Sequence, residues 1–458
     1  MENNTIAAIC TAQGNGAISI IRISGKDTYN IVAKIFSPLK KNFNFETQSQ
    51  GNKFYNGYII DNNGKTIDRV VVFCYKNPHS YTGEDTIEIS CHASIYIQRQ
   101  ILKIVLENGA QPAQPGEFTQ RAYMNGKMDL SQAEAVADLI ASKSAAEHNI
   151  AINQMRGGIT NEIKRLRDLL LKFTSLMELE LDFSEEDVEF ADRSQLREIL
   201  NETKNYLKRL INSFAVGNAI KNGIPVAIAG QPNAGKSTLL NALLNDERAI
   251  VSDIPGTTRD SIEDSLIING ITYRLIDTAG IRNTSDTIEK LGIDRAKNAV
   301  EKAEIVILVV DPMTDIYKQY QDVIPSSFNG KLIIAINKLD IKSIEIDSQK
   351  FPDNTKIIKI SAKHKENIDL LLNTISEFSQ TNYSTDDVIL TNLRHYEIFR
   401  EALDSIERGE TALNSGLSGE FVSQDIREAL RLFGDITGDE ITPNEVLGNI
   451  FKNFCIGK

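Results

Sequence analysis

The sequence predicts a multidomain α/β protein: an α+β start, then an all-α region interrupted by a block rich in parallel sheet. Three observations carry that prediction. Up to about residue 120, short apolar runs alternate with Gly and Pro turns. No proline occurs between Pro115 and Pro225, and residues 128–215 keep helical spacing throughout. Residues 222–378 then alternate apolar strands with helices, as a sheet covered on both faces requires.

Each element follows in order. AISIIRIS, RVVVFCY and DTIEIS read as strands, and IYIQRQILKIVLENGA as an amphipathic helix closed by Gly109. LSQAEAVADLIASKSAAEHNIAINQMRG and ITNEIKRLRDLLLKFTSLMELELDF read as helices, interrupted by the acidic run SEEDVEF at 184–190. VAIAG, YRLIDTAG, EIVILVV, LIIAIN and KIIKIS are the strands of the central block, with STLLNALL a helix between the first two. After Ser379 helical texture returns in NLRHYEIFREALDSIERG and VSQDIREALRLFGDIT. The expected domains are therefore 1–120, 121–220 and 379–458 as two parts of one helical domain, and 221–378 as an insertion. There are no repeats and no low-complexity segments.

Composition bounds the function. Apolar content is 41% and charged content 24%, ordinary for a soluble globular chain. The net charge of −12 argues against a surface built for nucleic-acid backbones, so any such contact needs a local basic patch or a partner. Cys10, Cys74, Cys91 and Cys455 form no C-x-x-C pair, which fits a reducing cytoplasm. The start MENNTIAAICTAQGNG lacks a basic region followed by an apolar stretch, and no 18 apolar residues run together, so no membrane is expected. The closing FCIGK fails as a prenylation box because Gly457 and Lys458 break its pattern. Phe451 and Phe454 are poor material for a solvated tail, so this end is expected to be held in place.

The strongest motif is GQPNAGKS, Gly230 to Ser237, between the strand VAIA and the helix TLLNALL. Its glycines let backbone N–H groups curl around a phosphate at a helix N-terminus. Asn233, Ala234, Gly235, Lys236, Ser237 and Thr238 are the expected phosphate-binding set. Lys236 would reach the β- and γ-phosphates, and the Ser237 hydroxyl would bind Mg²⁺. AIVSDIPGTTRD (249–260) stands where the first switch belongs, giving Ser252, Asp253, Ile254, Pro255, Gly256, Thr257 and Thr258, with Thr258 a second Mg²⁺ ligand. DTAG supplies Asp277, Thr278, Ala279 and Gly280, with Asp277 holding the Mg²⁺ shell through water and the Gly280 N–H sensing the γ-phosphate. NKLD supplies Asn337 to brace loops, Lys338 to cover the base and Asp340 to accept two hydrogen bonds from guanine, a pairing adenine cannot satisfy. SAK adds Ser361, Ala362 and Lys363, with the Ala362 N–H facing guanine O6. Each short motif is weak alone. In this order, each behind an apolar strand, they specify GTP.

The hydrolytic device is less determined. Ile281 occupies the position after DTAG where small signalling GTPases carry a water-orienting glutamine. Arg282 and Arg259 are candidate arginine fingers by residue type. Alternatively the Asn233 amide holds a monovalent cation against the β- and γ-phosphates, with first-switch carbonyls completing its shell.

GQPNAGKS, AIVSDIPGTTRD, LIDTAGIRNTSDTIEKLGIDRA and FCIGK, with ISIIRISG, YTGEDTIEI and PGEFTQRAYMNGKMDLSQAEAVADLI, together resemble the MnmE (TrmE) family of bacterial tRNA-modification GTPases across the whole chain. The resemblance implies a Ras-like P-loop G domain inserted in an all-α helical domain, preceded by an α+β tetrahydrofolate-binding and dimerisation domain. It implies a homodimer whose G domains associate with GTP and K⁺. The flavin-dependent partner MnmG (GidA) would join it in a heterotetramer that installs an aminomethyl-type group on C5 of the wobble uridine of certain tRNAs. A 5-formyl- or 5,10-methylene-tetrahydrofolate would supply the carbon. By motif position, Asn233 resembles the K⁺ side-chain ligand, with carbonyls of Ser252, Ile254 and Thr257. Glu289 resembles the residue orienting the catalytic water, and Arg22, Glu88, Lys127 and Lys458 resemble the folate-binding set. Cys455 matches the near-terminal cysteine, a candidate nucleophile. Pro255 and Gln231 depart from the family's usual small residue and arginine. A ribosome-assembly GTPase is the main alternative, and the net charge and missing basic C-terminal domain speak against it. A nucleotide-gated scaffold with slow hydrolysis is the other.

Overall fold

The computed structural model describes residues 4–12, 14–40, 45–182, 192–245, 264–276, 298–341, 347–378, 388–438, 450–451, 454 and 457. The chain forms two compact units, Met1–Ile140 with Gln154–Ile199 and Ser405–Lys458, and Ala141–Asn153 with Leu200–Asp404.

In the first unit, β1 (Ile6–Ile9), β2 (Ile18–Ser24), helix α1 (Thr28–Ile35), β3 (Phe36–Pro38), α2 (Phe45–Gln48), β4 (Lys53–Ile60), β5 (Thr66–Tyr75), β6 (Thr86–His92), α3 (Ile95–Glu107), β7 (Gln111–Pro112) and α4 (Glu117–Met124) follow in order. The seven strands lie as β3-β4-β5-β6-β2-β1-β7. All neighbours are antiparallel except β1 and β7. Period-two alternation sends Val70, Val72 and Cys74 of β5 and Ile87, Ile89 and Cys91 of β6 into one core. Helices α1 and α3 close that face with Ile31, Val32, Ile35, Ile101, Ile104 and Val105. The opposite face carries Arg22 and Glu88, cross-strand partners in the β2–β6 register.

Helices α5 (Leu130–Ala141), α6 (Ala145–Met155), α7 (Gly158–Asp182) and α8 (Arg193–Asn222) come next. Along α7, Ile159, Ile163, Leu166, Leu170, Phe173 and Met177 are buried, the three-and-four spacing of one helix face. The acidic interruption expected at 184–190 lies outside the described residues.

The second unit holds β8 (Ile224–Ala229), α9 (Lys236–Leu244), β9 (Asp264–Ile268), β10 (Ile271–Ile276), β11 (Ile305–Val310), α10 (Ile316–Val323), β12 (Lys331–Ile336), β13 (Lys356–Lys359) and α11 (Ile368–Glu377). Its sheet runs β13-β12-β11-β8-β10-β9, parallel except for the β9–β10 hairpin. All six residues of β11 are buried, because apolar layers cover both faces of this sheet. Asn269 (φ 51°) and Gly270 (φ 81°) make the hairpin turn, an Asn-Gly pair suited to two left-handed residues. Helices α12 (Leu393–Asn414) and α13 (Gly419–Thr437) follow. In this unit α12 packs on α8: Phe214 and Tyr396 stack at 4.4 Å, and the Leu390 N–H donates to Ser213 Oγ at 3.0 Å. In the first unit α13 lies along α7, with Val422, Ile426, Phe433 and Ile436 buried and Arg427 paired to Glu178.

The expected class is thus present: an α+β sheet, long helices, and a largely parallel sheet between helical stretches. The chain's last segment is also held, as Phe451 and Phe454 pack with Leu130 and Ala133.

Candidate nucleotide site

Four parallel strands, β8, β11, β12 and β13, end at the same edge of the second sheet. β8 lies between β11 and β10, where the chain order reverses. The crevice outside strand C-termini at such a point is where open α/β sheets bind ligands.

The loop after β8 needs two glycines there for steric reasons. Gly230 has φ 148°, and a Cβ on it would stand 2.3 Å from the Val309 carbonyl oxygen. Gly235 has φ 99°, and a Cβ on it would stand 2.1 Å from Asn337 Nδ2. Asn233 is left-handed at φ 62° and exposed, a conformation Asn tolerates better than most. The loop delivers Lys236 to the first position of α9. Its ammonium donates to the carbonyls of Gly230 and Gln231, both at 2.8 Å, and burial lowers its pKa. Gln231 Nε2 in turn donates to Asp322 Oδ2 at 3.1 Å. Ser237 and Thr238 follow on α9.

Asn337, at the end of β12, is 4% exposed and binds two loops at once. Its Nδ2 donates to the Ala234 carbonyl at 2.9 Å, and its Oδ1 accepts the Ala362 N–H at 3.0 Å. The N–H expected to face guanine O6 is thus already given to Asn337. Asp340 accepts the Ser361 hydroxyl at 2.7 Å, and that bond holds its carboxyl below the usual aspartate value. His364 Nε2 stands 3.8 Å from the other Asp340 oxygen. Lys338 pairs with Asp311, a residue that no motif reading singles out because the two are 27 positions apart. The only sequence signal is an aspartate directly after an apolar strand. Lys363 is exposed beside Ala362.

The structure therefore brings Asn233, Ala234, Gly235, Lys236, Asn337, Asp340, Ser361 and Ala362 to three adjoining loops. Ser252, Asp253, Ile254, Pro255, Gly256, Thr257, Thr258, Asp277, Thr278, Ala279, Gly280 and Glu289 lie outside the described residues. Among the described residues no cluster of three His, Cys, Asp or Glu could hold a metal ion. The Ser237 hydroxyl and Asn233 amide belong to the hard oxygen donors that Mg²⁺ and alkali cations take.

The first unit holds a second constellation. Arg22 Nε donates to Glu88 Oε1 at 2.8 Å, and its guanidinium lies 5.0 Å from the Tyr81 ring centre and 5.5 Å from that of Phe118. Its buried Nη1 has no hydrogen-bond partner. Lys127 donates to the Pro78 carbonyl at 2.9 Å, and its stem flanks Gly83. Lys127 thus borders the loop that carries Tyr81. Gly457 sits against β1, where a Cβ on it would meet the Ile9 carbonyl oxygen at 2.6 Å. Cys455 and Lys458 lie outside the described residues.

Two family models match the chain, the TrmE N-terminus of GTP-binding proteins over residues 5–127 and the MnmE helical domain over residues 130–455. The tRNA modification GTPase MnmE of Parabacteroides distasonis is 53% identical over 462 residues, covering 99% of this chain and 100% of its own. That of Flavobacterium johnsoniae is 50% identical over 469 residues, covering 100% of both. The crystal structure of the G domain of the T. maritima FeoB iron transporter is 28% identical over 34% of this chain and 99% of that one, with a TM-score of 0.25. The full-length matches and the two family models agree: the chain belongs to the MnmE family of tRNA modification GTPases.

Proposed function

We propose that this chain hydrolyses GTP as part of the machinery that modifies the wobble uridine of certain tRNAs. The observation that supports this most is the Asn337 brace, which joins the phosphate loop to the guanine-recognition loops in one rigid edge. In this reading Lys236 exchanges its loop carbonyls for β- and γ-phosphate oxygens. Asp340, kept ionised by Ser361, accepts the paired guanine N–H groups. Ser237 and Thr258 would hold Mg²⁺, which neutralises phosphate charge when bound. Asn233 with the carbonyls of Ser252, Ile254 and Thr257 would hold K⁺ in the place of an arginine finger. Glu289 would orient the attacking water.

The same reading gives residues 1–120 to folate binding and dimerisation, 121–220 and 379–458 to the helical domain and 221–378 to the G domain. The partnerless Arg22 Nη1, beside the Tyr81 and Phe118 rings, suits a ligand carboxylate or carbonyl. A tetrahydrofolate held by Arg22, Glu88, Lys127 and Lys458 would supply the one-carbon unit, with Cys455 beside it. The MnmG partner would act with a homodimer of this chain in the cytoplasm. No described helix is long and apolar enough to cross a membrane.

Mass spectrometry of tRNA nucleosides from a strain lacking this chain tests the proposal. The expected result is loss of the C5-substituted wobble uridine, restored by the intact gene and not by Lys236→Ala. An unchanged nucleoside profile in the deletion strain would overturn it.

A further inference from the structure

We propose that Asp311 is a positioning residue for guanine nucleotide, acting through Lys338. The inference rests on the guanine reading above, in which the Lys338 stem covers the base. Lys338 follows β12 with φ 65°, a left-handed conformation that a lysine adopts only when its surroundings hold it there. The backbone there is tied by the Leu339 N–H to the Ile360 carbonyl at 3.1 Å and by the Ile341 N–H to the Lys338 carbonyl at 2.9 Å, and the side chain is held from the neighbouring strand. β11 and β12 are paired in parallel, and Asp311 follows β11 directly. The Lys338 ammonium pairs with Asp311 Oδ2.

Asp311 is itself fixed from several directions. Its other carboxylate oxygen accepts the Met313 N–H at 2.9 Å. Its backbone N–H donates to Gln319 Oε1 at 3.1 Å, and its backbone carbonyl accepts from Gln319 Nε2 at 3.0 Å. Gln319 belongs to α10, is 2% exposed and also donates to Thr314 Oγ1 at 2.8 Å. A buried glutamine therefore grips the Asp311 backbone at both polar groups, so the carboxylate points one way. Burial opposes ionisation of Asp311, and the Lys338 and Met313 donors overcome it, leaving the carboxyl below its usual value. The chain of contacts runs from α10 through Asp311 to the head of Lys338. Both ends of a long flexible side chain are then anchored, and its stem has little rotamer freedom left to lose when a base arrives.

The test uses the full-length chain and a fluorescent GDP analogue, with GTPase kinetics alongside. Asp311→Asn is expected to speed GDP dissociation and raise KM for GTP by roughly tenfold, with the loss in KM rather than kcat. Lys338→Met keeps an apolar stem and frees the head, and is expected to show the same loss. Combining the two should cost no more than either alone, because both break one link. Asp315→Ala is the structural control. Asp315 caps α10 through the N–H groups of Tyr317 and Lys318, so its loss should lower the melting temperature without weakening nucleotide. Additive losses in the double variant overturn the proposal, as does unchanged affinity in either single variant. Should Asp311→Asn fail to fold, Asp311→Ser takes its place beside Lys338→Met, with the same outcomes deciding. A wild-type chain that binds no guanine nucleotide would sink the parent reading, and this one with it.

Discussion

Asn337 commits one N–H and one oxygen lone pair of its amide to two other loops. Its part is mechanical, the bracing of two loops, while Asp340 three positions on is set by Ser361. Asn233 is the reverse case. It stands exposed on the crest of the phosphate loop, left-handed, with its amide turned to no structural task that the motif requires. If that amide ligates K⁺, Asn233→Ala should abolish the rise in GTPase rate on replacing Na⁺ by K⁺, while leaving the rate in Na⁺ within about twofold. Steady-state phosphate release in the two salts reads this directly. Equal K⁺ stimulation of the variant and the parent would exclude Asn233 as a ligand. At this scale the phosphate loop is legible in sequence because its chemistry lies within eight consecutive positions. The Asp311–Lys338 pair is not, since only strand pairing brings it together. Arg22 and Glu88 are of the same kind: their pairing follows from a β2–β6 register that periodicity alone does not set.

Among the elements, the β9–β10 hairpin is tethered by side chains at two points. Its Asn269 side chain donates to Ser376 of α11 at 2.8 Å. Its Thr272 hydroxyl donates to Glu147 of α6 at 2.8 Å. Glu147 is also the fourth residue of a capping box: Ser144 accepts its N–H at 3.2 Å, and its carboxylate accepts the Ser144 hydroxyl and the Lys143 N–H. One side chain thus starts a helix and holds a strand. Glu147→Ala should destabilise the second unit by about 1–2 kcal/mol, a cap and a charge-assisted bond together. Urea denaturation of the full chain should show it, and Thr272→Val, which removes only one of these bonds, should reproduce part of the loss. No change in the midpoint would mean that the bonds are replaced by water. The capping box is readable as S-A-A-E, and the hairpin as Asn-Gly between apolar runs. That the two meet is not readable, because 125 positions separate Thr272 from Glu147. The shortest strands, β3 and β7, carry no usable period either.

On the scale of the whole chain, two cores coexist, and the first is assembled from three separated stretches. Phe451 is 2% exposed, and with Phe454 it covers Leu130 and Ala133. Removing its ring should cost the first unit about 3–4 kcal/mol, the usual loss for a buried phenylalanine. Calorimetry of Phe451→Ala should therefore show an early transition, while guanine-nucleotide affinity in the second unit is unchanged. A single unshifted transition would show that the aromatic pair contributes little.

The seat of that aromatic pair has a temporal meaning. Gly116, left-handed at φ 69° at the start of α4, leaves room where a Cβ would stand 2.9 Å from the Phe451 carbonyl oxygen. The adjoining bond from Tyr123 to the Gly438 carbonyl spans 315 positions. A ribosome delivers Gly116 long before Phe451, and the nucleotide-binding sheet emerges between them. The inserted unit can finish folding while its host still waits with an open apolar seat. A chain cut short by interrupted translation would carry a completed GTPase core beside an unclosed, sticky neighbour. Phe451 and Phe454, made late, thus serve as a seal, and an unsealed product shows the exposed surface that chaperones and proteases recognise.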